Sequence, residues 1–296
     1  MKKLIVTGAS GFLGWNVCRA AQKTWEVFGI YHTRPITIAN VKTLQADLAD
    51  RDPLEIVFKD IRPDAVIHCA AYPDPNKCQT NPDASYRDNV QAAINVASLC
   101  AKEGVQCVFT SSDLVFGGNN PPYDEESPVG PVNIYGQHKV AAERGMRKAY
   151  PDMIICRMPL MFGDAPAPAK SIIQPLIAAI VDKREVKLFS DEYRTPVSGA
   201  TAAKGLLLAL ERAPGVLHLG GREHVSRYEI GLLVAKVLGK DASNIVAALQ
   251  KDNIMPAPRA RDVSLSSEKA FDLGYDPGPL EEQLRELDCV KAGIKK

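Results

Sequence analysis

The feature that most constrains the fold is a glycine-rich junction near the start of the sequence. An apolar run over residues 3–7 predicts a short buried strand, Gly8-Ala-Ser-Gly11-Phe-Leu-Gly14 follows it, and a helical pattern runs to about Lys23. Glycines at this spacing allow a tight turn and let the backbone approach a pyrophosphate, which the N–H groups at the helix start then stabilise. We therefore predict a dinucleotide site, with cofactor contacts from Gly8, Ser10, Gly11, Phe12, Leu13 and Gly14.

The rest of the first half alternates between strands and helices. Strands are predicted over 26–31, 43–46, 65–69, 105–110 and 153–157, and helices over 53–61, 82–103 and 135–150. The strands are continuous apolar runs, which is typical of parallel strands covered by helices on both faces. After Arg157 prolines cluster and the elements shorten. The sequence predicts the α/β class, with a Rossmann-type doubly wound parallel sheet in residues 1–158 and a smaller C-terminal substrate-binding lobe in residues 159–296, interleaved with the last sheet elements.

Composition and charge argue against several classes of protein. The 296 residues carry a formal net charge of +1, so no basic excess predicts binding to nucleic acid or to an anionic membrane. No apolar run approaches the roughly 20 residues that a membrane-spanning helix needs. The seven cysteines are scattered and form no CxxC pair, which argues against a disulfide framework and a structural zinc site. We predict a cytoplasmic protein without a metal ion.

The end of the second predicted strand bears on the choice of cofactor. Sites that select NAD usually carry an acidic residue there, which binds the ribose 2′-hydroxyl. This strand ends in His32-Thr33-Arg34, where Arg34 could meet a 2′-phosphate or could be a solvated loop residue. Asp47, after the third strand, is a candidate to bind the adenine amino group, or a turn residue only. The pattern favours NADP(H) and leaves NAD(H) as the alternative.

A Tyr and a Lys farther along the chain indicate carbonyl chemistry. Tyr135 and Lys139 are four residues apart, so on a helix they share a face. Ser111 and Ser112 follow the apolar run 105–110 and are expected in a loop. Ser112 could hold a carbonyl oxygen while Tyr135 gives it a proton, and the Lys139 charge would lower the pKa of the phenol. Such a pair also occurs by chance, with the Tyr packed and the Lys solvated.

Together these motifs resemble the extended short-chain dehydrogenase/reductase superfamily. The resemblance covers most of the chain and rests on Thr7-Gly-Ala-Ser-Gly-Phe-Leu-Gly14, Asp47-Leu48, His68-Cys-Ala-Ala71, Asn89-Val90, Ser111-Ser112, Tyr135 with Lys139, and Arg157-Met-Pro159. It implies a catalytic triad of Ser112, Tyr135 and Lys139, with Lys139 also on the nicotinamide ribose. The expected cofactor contacts beyond the glycine loop are His32, Arg34, Asp47, Leu48, Cys69, Ala70, Ala71, Asn89, Ser111, Tyr135, Lys139 and Arg157.

One branch, the dTDP-4-dehydrorhamnose reductases, is similar over further segments. These are Ser111-Ser-Asp-Leu-Val-Phe-Gly-Gly118, Pro121-Pro-Tyr-Asp-Glu-Glu126, Asn133-Ile-Tyr-Gly136, Arg261-Asp-Val-Ser-Leu265 and Leu273-Gly274. The branch holds NADPH-dependent sugar-nucleotide reductases and also the regulatory beta subunits of methionine adenosyltransferase, which serve as binding partners. This chain departs from it at Ser112, where Thr is common, and at Leu114, where Tyr is common. Leu114 removes a polar group near the expected substrate pocket, so the resemblance does not carry the identity of the sugar.

The resemblance implies an NADPH-dependent reductase of a nucleotide-activated 4-keto-6-deoxy sugar. Two alternatives stay open. One is an NAD(P)-dependent sugar-nucleotide epimerase or dehydratase, in which Asp113 would supply an acidic group, and the other is a non-catalytic NADP-binding regulatory subunit. The expected substrate contacts are Asp113, Leu114, Arg194 and Arg261, the arginines because guanidinium groups match a diphosphate unless they are solvated or paired. Expected partners are a nucleotide sugar and, through helices 82–103 and 132–149, a second copy in a homodimer.

Overall fold

The protein is built around one parallel sheet of seven strands. The computed structural model describes residues 1–213 and 215–294. The strands in these residues, including those of three smaller two-stranded sheets, are β1 (Lys3–Thr7), β2 (Glu26–Tyr31), β3 (Val41–Gln45), β4 (Ala65–His68), β5 (Gln106–Ser112), β6 (Ile154–Met158), β7 (Met161–Phe162), β8 (Val186–Phe189), β9 (Tyr193–Arg194), β10 (Val197–Ser198), β11 (Val216–His218), β12 (Val225–Ser226) and β13 (Ile245–Ala248). The main sheet has the order β3-β2-β1-β4-β5-β6-β11, with every neighbouring pair parallel. The order reverses between β1 and β4, which opens a crevice at their carboxyl ends.

Helices connect the strands and cover both faces of the sheet. They are α1 (Phe12–Ala21), α2 (Arg51–Ile61), α3 (Pro75–Thr80), α4 (Pro82–Tyr86), α5 (Ala92–Glu103), α6 (Ile134–Ala149), α7 (Ile173–Val181), α8 (Gly199–Arg212), α9 (Arg227–Leu238), α10 (Glu268–Asp272), α11 (Leu280–Glu286) and α12 (Asp288–Ile294). A π-helical turn, Arg87–Gln91, joins α4 to α5 within the helix predicted over 82–103. None of the helices in the two described ranges has the length and apolar character needed to cross a bilayer.

Apolar side chains on both faces of the strands explain the two helical layers. In β1, Leu4 and Val6 belong to the core shared with α1 and α8, while Ile5 belongs to the core shared with α2 and α5. This alternation follows from the two-residue period of a strand, and burial on both faces explains why the strand is apolar throughout. The predicted α/β class with a doubly wound parallel sheet is confirmed.

The residues after Met158 divide between the sheet and a smaller lobe. Helix α8 packs against α1, and β11 pairs with β6 at the edge of the main sheet. A separate apolar core joins α7, α9, α11 and α12, beside the short strand pairs β8–β13 and β9–β12. The domain division at residue 158 stays a prediction, since the main sheet takes its last strand from beyond that residue.

One predicted boundary is wrong in a way that matters for the site. Strand β5 continues to Ser112, because Ser111 and Ser112 lie opposite Arg157 and Met158 of β6. The two serines therefore end a buried strand and do not lie in a loop. Successive side chains of a strand point to opposite faces, so the two hydroxyl groups serve different surroundings.

Candidate active site

Two of the loop glycines are required by close approaches of the backbone. Gly8 has φ +69°, and a Cβ there would lie 2.7 Å from Ala70 Cα. A Cβ on Gly14 would lie 2.3 Å from the Gly8 carbonyl oxygen, so a side chain would push the helix away from the loop. Gly11 is the N-cap of α1, and among residues 1–213 and 215–294 no side chain caps the first N–H groups of this helix. An uncapped helix start above a tight glycine loop fits a pyrophosphate.

Thr7 holds the loop after β4 against the glycine loop. Its Oγ1 accepts hydrogen bonds from Cys69 N at 3.1 Å and Ala70 N at 3.2 Å, and lies 2.7 Å from His68 Nδ1. Burial, with a smaller contribution from the Lys139 charge, lowers the pKa of His68 to about 3. Because the imidazole is neutral, its Nδ1 can accept the Thr7 proton. The two loops that flank the crevice are thus joined by hydrogen bonds at the ends of β1 and β4.

The predicted cofactor residues gather at or beside this carboxyl edge of the sheet. They follow the ends of β1 to β4 or lie on the adjoining helices: Gly8, Ser10, Gly11, Phe12, Leu13, Gly14, His32, Arg34, Asp47, Leu48, Cys69, Ala70, Ala71 and Asn89. Asn89 is already engaged within the protein. Its Oδ1 accepts from Tyr72 N at 2.8 Å and its Nδ2 donates to the Tyr72 carbonyl at 3.1 Å, so Asn89 secures the loop after β4.

The ends of β2 and β3 carry a group of charged side chains. Asp47 forms an ion pair with Arg87, and its Oδ2 lies 3.6 Å from His32 Nε2. Although partial burial opposes it, the Arg87 hydrogen bond lowers the pKa of Asp47. Arg34 Nη1 donates to the Pro168 carbonyl at 2.7 Å and so ties the end of β2 to the lobe. Arg87 was not among the predicted site residues, because no spacing in the sequence links its helix to β3.

Ser112, Tyr135 and Lys139 converge where β5 meets the first turns of α6. Tyr135 and Lys139 are buried on the same face of α6, and Ser112 at the end of β5 lies near the Tyr135 phenol. Lys139 Nζ donates to the Thr110 carbonyl at 2.9 Å and lies 5.8 Å from the centre of the Tyr135 ring. The three side chains of the predicted triad therefore lie together, beside the crevice.

The protonation of this pair differs from the expectation. Burial raises the pKa of Tyr135, the Asp113 charge raises it further, and the nearby Ser112 hydroxyl only partly opposes them. Burial lowers the pKa of Lys139 to about 8. The expected lowering of the phenol pKa by Lys139 is wrong for this structure, because the phenol is enclosed and the ammonium is directed at a carbonyl. Tyr135 is held protonated at neutral pH, which is the form that donates a proton.

A buried charge cluster lies beside Ser112. Ser112 Oγ donates to Asp113 Oδ1 at 2.9 Å, and Arg194 Nε lies 3.4 Å from Asp113 Oδ2. Arg194 also pairs with Glu192 Oε1 at 3.2 Å. Burial raises the pKa of Asp113, while the Arg194 charge and the Ser112 hydrogen bond oppose the rise. Arg194, expected on a diphosphate, is here the buried partner of two carboxylates.

Arg227, at the start of α9, extends the cluster and was not predicted. Its Nε lies 3.8 Å from Glu192 Oε1, and its buried Nη1 has no hydrogen-bond partner in the described part of the chain. Arg227 also lines a cavity of 290 Å³ whose apolar walls include Leu176, Val186 and Leu188. A cation beside an apolar cavity fits a ligand that joins an anionic group to a flat apolar group.

The neighbouring arginines Arg259 and Arg261 have different surroundings. Arg261 has an exposed side chain, and its carbonyl accepts a hydrogen bond from Tyr193 N. Arg259 is half-buried and donates to Asn76 Oδ1 at 3.0 Å, and the charges of Glu192 and Arg194 reach it. The structure thus associates Arg259, rather than the expected Arg261, with the charge cluster.

A second buried ion pair joins α6 to the two strands beside it, β5 and β6. Arg157 donates to Glu143 through Nε at 3.1 Å and Nη2 at 3.0 Å, and Ser111 Oγ donates to Glu143 Oε1 at 2.5 Å. Arg157 and Ser111, both expected on the cofactor, instead join α6 to β5 and β6.

Leu114, expected at the substrate, packs against a small apolar cluster that includes Phe116.

The fold and this site define the chain as an extended short-chain dehydrogenase/reductase. A family model described as RmlD substrate binding domain matches residues 1–288, and the chain belongs to that family. The probable low-salt glycan biosynthesis reductase Agl14 of Haloferax volcanii is 29% identical over 292 residues, covering 96% of this chain and 97% of its own. Methionine adenosyltransferase 2 subunit beta of Xenopus laevis is 27% identical over 281 residues, covering 92% of this chain and 83% of its own.

Solved structures of sugar-nucleotide reductases and epimerases share the fold of this chain. A hypothetical dTDP-4-dehydrorhamnose reductase from Sulfolobus tokodaii has a TM-score of 0.83 and 28% identity, covering 94% of this chain and 96% of its own. The dTDP-4-dehydrorhamnose reductase of Bacillus anthracis in complex with NADP has a TM-score of 0.83 and 22% identity, covering 97% and 99%. UDP-glucose 4-epimerase of Thermotoga maritima has a TM-score of 0.86 and 21% identity, covering 99% of each chain. The predicted superfamily and branch, and at family level the class of NAD(P)-dependent oxidoreductases, are confirmed.

Proposed function

We propose that the protein is an NADPH-dependent reductase of a nucleotide-activated 4-keto-6-deoxy sugar. The observation that carries the proposal is the convergence of Ser112, Tyr135 and Lys139 beside an uncapped helix start and a glycine loop. Similarity to Agl14 and to dTDP-4-dehydrorhamnose reductases supports the reductase assignment. The lack of a carboxylate directly after β2, where His32 and Arg34 stand instead, favours NADPH over NADH.

The proposed chemistry assigns a separate role to each member of the triad. Bound NADPH would supply a hydride to the carbonyl carbon. Tyr135, protonated because burial raises its pKa, donates a proton to the carbonyl oxygen. Ser112 orients that oxygen once its hydroxyl turns away from Asp113. Lys139, whose Nζ lies 5.8 Å from the centre of the Tyr135 ring, binds the nicotinamide ribose.

The charge cluster and the cavity support a nucleotide sugar as the substrate. Three arginines, Arg194, Arg227 and Arg259, lie among the carboxylates of Asp113, Glu192 and Asp74. The buried Nη1 of Arg227, which has no partner in the described part of the chain, is the donor that favours a diphosphate. The adjoining cavity of 290 Å³ has apolar walls suited to a base. The proposal puts the keto group at Tyr135, the diphosphate at the cluster and the base in the cavity.

The test follows NADPH oxidation with a 4-keto-6-deoxy sugar nucleotide made in place by an upstream dehydratase. Tyr135→Phe should lower kcat by about 10³-fold, because the proton donor is lost. It should leave the Kd for NADPH within about twofold, because the phenol is not needed to bind the phosphates. Tyr86→Phe, at an exposed tyrosine, is the matched control and should keep full turnover. Near-normal turnover of Tyr135→Phe would show the assignment to be wrong.

One observation favours a second function, that of an NADP-binding regulatory subunit. The Ser112 hydroxyl is already engaged, since it donates to Asp113 and accepts from Leu114 N at 3.2 Å. A binding module needs no free hydroxyl there, and a methionine adenosyltransferase beta subunit is among the relatives. Tight NADPH binding without turnover on several keto-sugar nucleotides would favour this function. Sugar conversion without net NADPH consumption would favour an epimerase or dehydratase.

We also propose a cytoplasmic location and a homodimer. All seven cysteines are free and five of them are buried, which agrees with a reducing compartment. The homodimer would pair α5 and α6 of two copies. Light scattering on the eluted protein tests it, and a monomeric mass would contradict it.

A further inference from the structure

The carboxylate of Asp47 lies beside the place where a 2′-phosphate would bind. His32 follows β2 directly, and its Nε2 is 3.6 Å from Asp47 Oδ2. In this fold the adenosine ribose lies at the end of the second strand. A phosphate there carries close to two negative charges, and a bare carboxylate a few ångströms away would repel it. Selection of NADPH therefore needs a charge that offsets Asp47.

Arg87 is the side chain that can supply this offset. Its Nη2 forms an ion pair with Asp47 Oδ2, and its Nη1 lies 3.3 Å from Asp88 Oδ1. The Asp47 side chain is 29% exposed, so it is partly shielded from water and from salt. Arg87 also begins the π-helical turn between α4 and α5, and such turns frequently occur at functional sites.

The other basic side chains of this region do not replace Arg87. His32 lies 3.6 Å from Asp47 and is a weaker partner, and Arg34 Nη1 donates to the Pro168 carbonyl. Both follow the end of β2, where the adenosine ribose lies in this fold. Arg87 comes from a different element, the π-helical turn between α4 and α5. The arrangement separates two tasks, contact with a phosphate and neutralisation of the neighbouring carboxylate.

We propose that Arg87 determines cofactor specificity by neutralising Asp47, so that Asp47 can bind the adenine amino group without repelling a 2′-phosphate. The inference rests on the proposed nicotinamide cofactor and extends it to a residue on a different element. Arg87 acts through Asp47 and is a positioning residue. It should affect NADPH and NADH differently, because only NADPH carries the phosphate.

The experiment measures the Kd values of NADPH and NADH for the full chain by titration calorimetry. Arg87→Gln should raise the Kd of NADPH about fivefold more than the Kd of NADH, since a partly exposed charge has a modest effect on binding. Adding Asp47→Asn to Arg87→Gln should restore the NADPH:NADH preference to within about twofold, because the repelling charge is removed. Arg87→Lys keeps the charge and should keep the preference. Asp88→Asn removes the other partner of Arg87 and is the matched control that should leave the preference unchanged.

Each other outcome overturns a defined part of the argument. If Arg87→Gln raises the Kd values of NADPH and NADH equally, while the wild-type chain binds both, the inference is refuted and the proposed function is unaffected. A loss of NADPH preference that Asp47→Asn does not restore would mean that Arg87 touches the phosphate directly, and neutralisation would be wrong. Failure of the wild-type chain to bind either cofactor would refute the proposed function and the inference together. If Arg87→Gln does not fold, loss of NADPH preference in Arg87→Lys would refute the inference.

Discussion

The glycine loop and the buried charge cluster flank the same proposed site, but they are built in different ways. The loop is one continuous stretch, residues 7–14, shaped by its own backbone and by the approach of Ala70. The cluster joins Asp113 after β5, Glu192 and Arg194 at β9, and Arg227 at α9. The loop offers N–H groups and no side-chain charge, whereas the cluster offers buried charged side chains.

This difference predicts two kinds of sensitivity. The loop is sensitive to added atoms, because its close approaches leave no room for a Cβ. The cluster is sensitive to lost atoms, because a buried charge without its partner is costly. Variants that add atoms to one region and remove them from the other test the comparison directly.

The largest expected effect is in the charge cluster. Arg194→Met should lower the free energy of unfolding by about 3–5 kcal/mol, because Asp113 and Glu192 would stay buried without their shared cation. Urea denaturation measures it. Arg51→Met, which removes an exposed i,i+4 pair with Glu55, is the control and should cost less than about 1 kcal/mol. Equal losses in the two variants would show that burial of the cluster does not matter.

Gly14→Ala tests the loop. Its Cβ would lie 2.3 Å from the Gly8 carbonyl oxygen, so α1 and the loop have to separate. We expect about a tenfold rise in the Kd for NADPH and a destabilisation of about 1–3 kcal/mol, as for overpacking elsewhere. Gly130→Ala is the matched control, since no described residue other than its chain neighbours has an atom within 4 Å of the added Cβ. If Gly14→Ala bound NADPH normally, the loop would not be the pyrophosphate site.

Acid should destabilise the protein through two buried histidines, of which only one lies at the glycine loop. Burial is the main reason that the pKa values of His68, beneath the loop, and His218, beside Arg157, are lowered to about 3. The unfolded chain takes up protons at these residues below about pH 6.5, while the folded chain does so only near pH 3. The free energy of unfolding should therefore decrease as the pH is lowered from about 6.5 towards 3. The slope should approach about 1.4 kcal/mol per pH unit for each histidine.

Urea denaturation at pH 7.5, 5.5 and 4.5 measures this slope. His218→Gln should reduce it by about half, because one of the two groups no longer titrates. An unchanged slope in that variant would assign the acid sensitivity to other groups.

The smallest expected effect is at the exposed end of β2. Arg34→Ser should lower the preference for NADPH over NADH by about threefold, because an exposed guanidinium gives a weak, screened contact. The ratio of the two Kd values measures it, and the effect should shrink in high salt. A salt-independent effect would instead indicate that the hydrogen bond from Arg34 to the Pro168 carbonyl matters through the shape of the lobe.

Local patterns were sufficient for the parts of the fold that depend on neighbours in the chain. The strand–loop–helix unit at 3–21 was predictable because glycine spacing and apolar period act over a few residues. Tyr135 and Lys139 were predictable as a pair, because one helical turn sets their separation. The end of β5 was missed, since Ser111 and Ser112 join the strand only by pairing with β6.

By itself the sequence determined the α/β class and the glycine loop through short-range patterns, whereas the triad of Ser112, Tyr135 and Lys139 was implied by the family resemblance and stays a prediction. Tertiary structure alone decided which charges meet: Arg157 with Glu143, Arg87 with Asp47, and Arg194 with Asp113 and Glu192. It also raised the pKa of Tyr135, which its place in the helix did not indicate. The reason is physical, because charge pairing and desolvation depend on distances between residues that the chain brings together only by folding.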